Sequence, residues 1–186
     1  MKKYILVLGL VASFSSFADS VCISSPGKLN CGAGSIATLP GDAYGTVSLN
    51  GTKVTDSTKA TAGKFSANSA SLNNPMITAG MVNLESSQLT GGKIEVISGL
   101  MNLDKSTIQS KAVLYSPNIN LFRTTTQALE INSSQAQQNL IVNLGSGSVV
   151  NGDITFNNGH GELCLDGGKL NGKLIGGVVH QGSCSI

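Results

Sequence analysis

GMVNLESSQL (80–89) and GLMNLDKSTI (99–108) decide the fold, because they are two copies of one pattern. Each opens with Gly, places apolar residues third, fifth and tenth, and carries a small polar residue fourth, Asn in both. GTVSLNGTKV (45–54), GKFSANSASL (63–72) and GELCLDGGKL (161–170) fit the same template. PNINLFRTTT (117–126) and LIVNLGSGSV (140–149) keep the apolar–Asn–Leu centre and lose the Gly. The third position falls at Val47, Phe65, Val82, Met101, Ile119, Val142 and Leu163, with successive spacings of 18, 17, 19, 18, 23 and 21 residues. Leu29, 18 residues before Val47, marks a candidate earlier coil.

Within each copy the apolar residues alternate at period two, which is strand periodicity. A helical solenoid needs amphipathic runs of good helix formers, and the Gly, Ser and Thr density argues against them. A repeat of this length holding short strands is the size of one β-solenoid coil. The expected fold is therefore all-β: a single-domain β-solenoid (parallel β-helix) of about seven or eight coils, stapled by disulfides at both ends. A β-sandwich, whose strand spacing is similar, is the alternative. Coils stacked at about 4.8 Å place equivalent side chains in columns, so modest aliphatics form a core many times over. Gly at the turns is expected to supply positive φ. GGKIEVIS, SVVNGDITF and GKLIGGVV would furnish the other faces of the coils.

The N-terminus, MKKYILVLGLVASFSSFA, has the layout of a secretory signal: Lys2 and Lys3, then an apolar run, then Ser16-Phe17-Ala18 as a cleavage site. That run is too short for a stable transmembrane helix, and no Cys follows Ala18 to receive a lipid. The division expected is 1–18 signal peptide, 19–44 N-terminal capping segment with a disulfide, and 45–186 β-solenoid, in a chain exported to periplasm, cell surface or medium. Without residues 1–18 the chain keeps 10 basic and 10 acidic residues, and Arg123 is its only arginine. A basic patch for nucleic acid is absent from such a sequence. Low charge, at 12%, together with recurrent Val, Ile and Leu also excludes disorder.

On these rungs, over residues 45–180, the chain resembles bacterial parallel β-helix proteins such as autotransporter passengers, and more faintly the bactofilins. The second likeness implies a cytoskeletal polymer; a secretory signal and four cysteines depart from that pattern.

HGELC (160–164) and HQGSC (180–184) hold both histidines, each four residues before a cysteine. Cys164 occupies the fourth position of its coil, and Cys184, 20 residues on, would take the same position in the next. Stacked Cα atoms about 4.8 Å apart lie within disulfide range. That selects Cys164–Cys184 and leaves Cys22–Cys31 at the other end, in keeping with an oxidising compartment. The rival is a zinc site of His160, Cys164, His180 and Cys184; no cofactor is otherwise indicated.

Two classes of function remain. A polysaccharide-acting β-helix enzyme needs clustered carboxylates with a cation. The candidates are Glu85, Asp104, Glu95, Glu130, Glu162 and Asp166, with Glu85 and Asp104 at equivalent sixth positions and no basic partner evident. A non-enzymatic structural or binding protein, adhesive or envelope-associated, needs only the long faces of the solenoid. It would be a monomer or small oligomer with an unknown protein or glycan partner and no stable membrane insertion. The fourth-position column, Ser48, Ser66, Asn83, Asn102, Asn120 and Asn143, offers either a hydrogen-bonded ladder or a flat recognition face. The lengthened coils place the expected partner site in a looped stretch, 121–139, at Phe122, Arg123, Thr124, Thr125 and Thr126.

Overall fold

The structure, a computed structural model, describes residues 21–41, 43–133, 138–157 and 159–184. The signal peptide expected at 1–18 lies outside them. What they form is a parallel β-solenoid of about eight turns without a helix.

Each coil contributes three strand segments. Ile94–Asp104 illustrates the geometry: its first half pairs in parallel with Ala112–Tyr115 and its second half with Asn118–Phe122, while Thr107–Ile108 belongs to a separate sheet. The third-position column is continuous in register from Leu29 through Val47, Phe65, Val82, Met101, Ile119, Val142 and Leu163 to Val179. Every member down to Leu163 is wholly buried. The coil expected at Leu29 is therefore present. Fifth-position Leu49, Ala67, Leu84, Leu103, Leu121 and Leu144 are buried beside them. Because side chains alternate across a strand, the fourth and sixth positions must face outward.

Glycine supplies positive φ at turns, as expected, at Gly51, Gly91, Gly147 and Gly167 among others, and it has a second job at the first position. First-position Gly45, Gly63, Gly80 and Gly99 are not in the left-handed region; a Cβ there would lie 2.8–3.0 Å from the carbonyl oxygen of the preceding coil's glycine. Rung-to-rung approach, not positive φ, excludes a side chain. At the seventh position Gly51 and Gly167 have positive φ, while at four other corners Ser69, Ser86, Lys105 and Arg123 adopt φ of 48–52°. Those corners are turned by L-residues in a conformation that usually favours glycine.

What holds the corners is a buried hydroxyl column at the eighth position, which the sequence reading overlooked. Ala70, Ser87, Ser106 and Thr124 donate their backbone N–H groups to Ser87 Oγ, Ser106 Oγ, Thr124 Oγ1 and Ser148 Oγ of the next coil, at 3.1–3.4 Å. The hydroxyls of Ser87, Ser106 and Thr124 donate in turn to the sixth-position carbonyls of Glu85, Asp104 and Phe122, each at 2.9 Å. Buried backbone groups that have left the ladder are thereby satisfied.

The tenth position shows both a success and a misplacement. Val54, Leu72, Leu89, Ile108, Thr126, Val150 and Leu170 stack in register. The sequence alignment places Val149 in that column, but one extra residue in the Gly145–Gly147 turn moves Val150 into it. Thr126 is fully buried between Ile108 and Val150, and its hydroxyl has no hydrogen-bond partner. Burying an unpaired hydroxyl costs about 1–3 kcal/mol, so Thr126→Val is expected to raise unfolding free energy by about 1 kcal/mol. Urea denaturation measures it; a lower midpoint would mean that the hydroxyl has a partner in solution.

Candidate functional site

The outward fourth and sixth positions of consecutive coils line a groove of about 720 Å³. It runs from Ser48 and Asn50, past Ser66, Asn68, Asn83 and Glu85, to Asn102, Asp104, Asn120 and Phe122, over the backbone of Leu49, Ala67, Leu84 and Leu103, whose side chains lie in the core. Four coil steps of about 4.8 Å make it roughly 19 Å long. Its walls carry amides, hydroxyls and two carboxylates, with no lysine, arginine or histidine among the lining residues.

The amides are organised. Asn143 Nδ2 donates to Asn120 Oδ1 at 2.8 Å, Asn120 Nδ2 to Asn102 Oδ1 at 2.9 Å, and Asn102 Nδ2 to Asn83 Oδ1 at 2.9 Å. Identical side chains at one rung spacing pair in this way because each amide is both donor and acceptor. The ladder weighed from the sequence is present from Asn83 to Asn143, and it fixes the amides that line the groove.

At the C-terminal end of the groove stands Phe122, 41% exposed. The Arg123 guanidinium lies 4.4 Å from its ring centroid. Gly145 occupies the sixth position of the next coil, and a Cβ there would meet the Phe122 ring at 3.0 Å. The missing side chain makes room for the ring. Arg123 also donates to Asp104, Nε to Oδ1 at 3.0 Å and Nη2 to Oδ2 at 2.7 Å. The acidic column therefore does have a basic partner, one that spacing within the sixth position alone did not reveal.

The expected partner residues divide. Phe122, Arg123 and Thr125 are exposed, whereas Thr124 and Thr126 are wholly buried in the eighth- and tenth-position columns. Nor is 121–139 one long loop. Asn118–Phe122, Thr125–Thr126 and Leu129–Asn132 are strands in register with their neighbours, so the extra length of this coil falls between Asn132 and Leu140. Of that insertion, 134–137 lie outside the described residues.

The other candidates lie elsewhere. Glu130 accepts from Asn157 Nδ2 at 2.7 Å and pairs with Lys111 at 2.5 Å, and these partners hold its carboxyl below the usual range. Glu95 pairs with Lys93 at 3.3 Å. Glu162 lies 3.7 Å from His180 Nε2, and Asp166 is exposed at the end of the strand Gly161–Asp166.

Both disulfides are formed, Cys22–Cys31 with Cα atoms 4.0 Å apart and Cys164–Cys184 with 5.7 Å. The first joins an antiparallel pair, Cys22–Ser25 on Lys28–Cys31. The second is the expected pair reached by a different route. His180, not Cys184, stacks on Cys164 in register. Cys184 returns from beyond the last strand: Gly182 N–H donates to Leu165 O at 2.9 Å and Cys184 N–H to Asn143 Oδ1 at 3.4 Å. With both sulfurs in one bond, neither thiolate of the zinc alternative is available. Among the described residues no group of three or more His, Cys, Asp or Glu is positioned to hold a metal.

No family model, curated protein or solved structure matches the chain. What stands of the expected likeness is the β-solenoid fold; no comparison supports assignment to autotransporter passengers or bactofilins. Two disulfides suggest an oxidising, exported environment. No helix among the described residues is long and apolar enough to cross a membrane.

Proposed function

We propose that the protein is an exported, non-enzymatic binding module whose groove holds an extended glycan. The observation that carries this reading is the groove itself: a trough built on a rigid sheet, lined with amides and hydroxyls and ended by one exposed aromatic ring. A small number of fixed polar groups that set a ligand's orientation is what a small-ligand site needs. Neutral donors and acceptors suit hydroxyl-rich polymers, and the lack of any cation in the lining disfavours acidic ones.

The polysaccharide-cleaving alternative has the carboxylates and cation that it needs, Glu85 and Asp104 with Arg123 beside them, but not two available carboxyl groups. Glycoside hydrolysis ordinarily uses two carboxyl groups with separate roles. Here both oxygens of Asp104 are engaged by Arg123, which leaves Glu85 as the one carboxylate in the groove without a bonded partner. Attachment to an envelope or matrix glycan, by a monomer or small oligomer, accommodates these features.

Titration of the oxidised protein with a panel of neutral, acidic and amino-sugar oligosaccharides tests the reading. Phe122→Ala is expected to weaken the best ligand about tenfold, or about 1.4 kcal/mol. Arg123→Ala should act similarly by releasing both Phe122 and Asp104. Absence of glycan binding, or full affinity in a folded Phe122→Ala/Arg123→Ala protein, would refute it.

A further inference from the structure

The amide ladder has a direction and an end. Every step donates toward the N-terminal coils, and at the far end the Asn143 oxygen accepts from the Cys184 N–H. The last amide is Asn83, because the next coil down carries Ser66 in the fourth position. Asn83 Oδ1 is occupied by Asn102, whereas its NH2 group has no acceptor among the described residues. Hydrogen-bonded chains polarise one another, so the terminal donor of the row is its strongest. Two residues along the same strand, Glu85 faces the same groove with its carboxylate unpaired, and the Ser66 hydroxyl beside Asn83 is likewise without a partner.

We infer that Ser66, Asn83 and Glu85 form a subsite for the acetamido group of an N-acetylated amino sugar, an inference that rests on the glycan reading above. Same-face residues two apart on a strand are separated by about 6.6 Å. A secondary amide, unlike a single hydroxyl, carries its acceptor and its donor on separate atoms, which suits a donor and an acceptor on residues spaced in this way. Its C=O and N–H point in opposite directions, so both residues can engage it at once. Its carbonyl accepts from Asn83 Nδ2 and its N–H donates to Glu85, while Ser66 takes a neighbouring hydroxyl. Phe122 lies two coils further along the groove and contacts a different part of the same chain. Acidic sugars are refused by Glu85.

Calorimetric titration with three tetrasaccharides separates the possibilities: the N-acetylglucosamine tetramer, its deacetylated form and cellotetraose. The acetylated tetramer is expected to bind at least tenfold more tightly than cellotetraose. Asn83→Asp keeps the acceptor for Asn102 and removes the free donor. It should cost the acetylated ligand at least tenfold more than it costs cellotetraose, so that the preference for the acetylated tetramer disappears, with the urea midpoint confirming the fold. Glu85→Gln keeps an acceptor for the acetamido N–H and should change acetylated binding less than threefold. Equal affinity for acetylated ligand and cellotetraose, unaffected by Asn83→Asp but lost in Phe122→Ala, would overturn the subsite and leave the groove reading intact. Tightest binding of the deacetylated tetramer, abolished by Glu85→Gln, would also overturn it, as would equal competition by N-acetyl-trialanine. If none of the three sugars binds, both readings fall.

Discussion

Phe65→Ala should lower the free energy of unfolding by about 3–5 kcal/mol, the range for emptying a buried aromatic site. The ring is wholly buried in the third-position column, in register with Val47 below and Val82 above. Its own coil has Ala67 at the fifth position, where the two neighbouring coils have Leu49 and Leu84. One large and one small side chain here replace the Val and Leu packed on either side. Rungs cannot close on the vacancy, because hydrogen bonds along the stack fix their separation. The double variant Phe65→Val/Ala67→Leu reproduces the neighbouring pair and should recover at least half of the loss, since cores tolerate swaps that conserve volume. Urea unfolding of the three proteins decides the matter. A loss under 1 kcal/mol would mean that the ring is not enclosed, and a double variant no better than Phe65→Ala would refute volume exchange between the two positions.

The column around Phe65 was legible in the sequence, and the reason is physical. A solenoid repeats one environment, so a period of about 18 with inner alternation identifies strands, inside and outside together. Val47, Phe65, Val82, Met101, Ile119, Val142 and Leu163 all stack where spacing placed them. Legibility failed wherever a residue type serves two purposes. Thr124 and Thr126 read as polar surface, yet the first satisfies corner carbonyls and the second fills an aliphatic column. The first-position glycines were seen as part of the repeat but had no reason assigned, and only the stacked carbonyls reveal that crowding selects them. The pairing of Asp104 with Arg123 was hidden because it joins a sixth position to the seventh of the next coil, across the corner that those αL residues turn. Half of the groove, its Asn column, followed from register; the Asp104–Arg123–Phe122 rim did not.

Removing the Cys164–Cys184 bond should open the last coil, leaving the rest of the solenoid in place. This end is the weaker one by composition: Val179, at the end of the third-position column, is 48% exposed where its predecessors are wholly buried, and Val178 and Ile175 are 56% and 46% exposed. The bond spans 20 residues and encloses Lys169–Leu170, Leu174–Ile175 and Gly177–Gln181. Cross-linking a loop of about this size removes on the order of 3 kcal/mol of chain entropy from the open state. Each coil contacts only its neighbours, so that stabilisation stays local. The appropriate variant is Cys164→Ala with Cys184→Ser, because Cys164 is wholly buried and a serine there would bury an unpaired hydroxyl. Hydrogen exchange at residues 170–181 should then accelerate on the order of a hundredfold, at about 1.4 kcal/mol per factor of ten. Amides of 45–132 should keep their protection, and reduction of the unmodified protein should reproduce the pattern. Unchanged exchange at 170–181 would show that side-chain packing alone holds the end. Uniform acceleration along the chain would show that the solenoid opens as one unit, and that the bond stabilises all of its coils through the last.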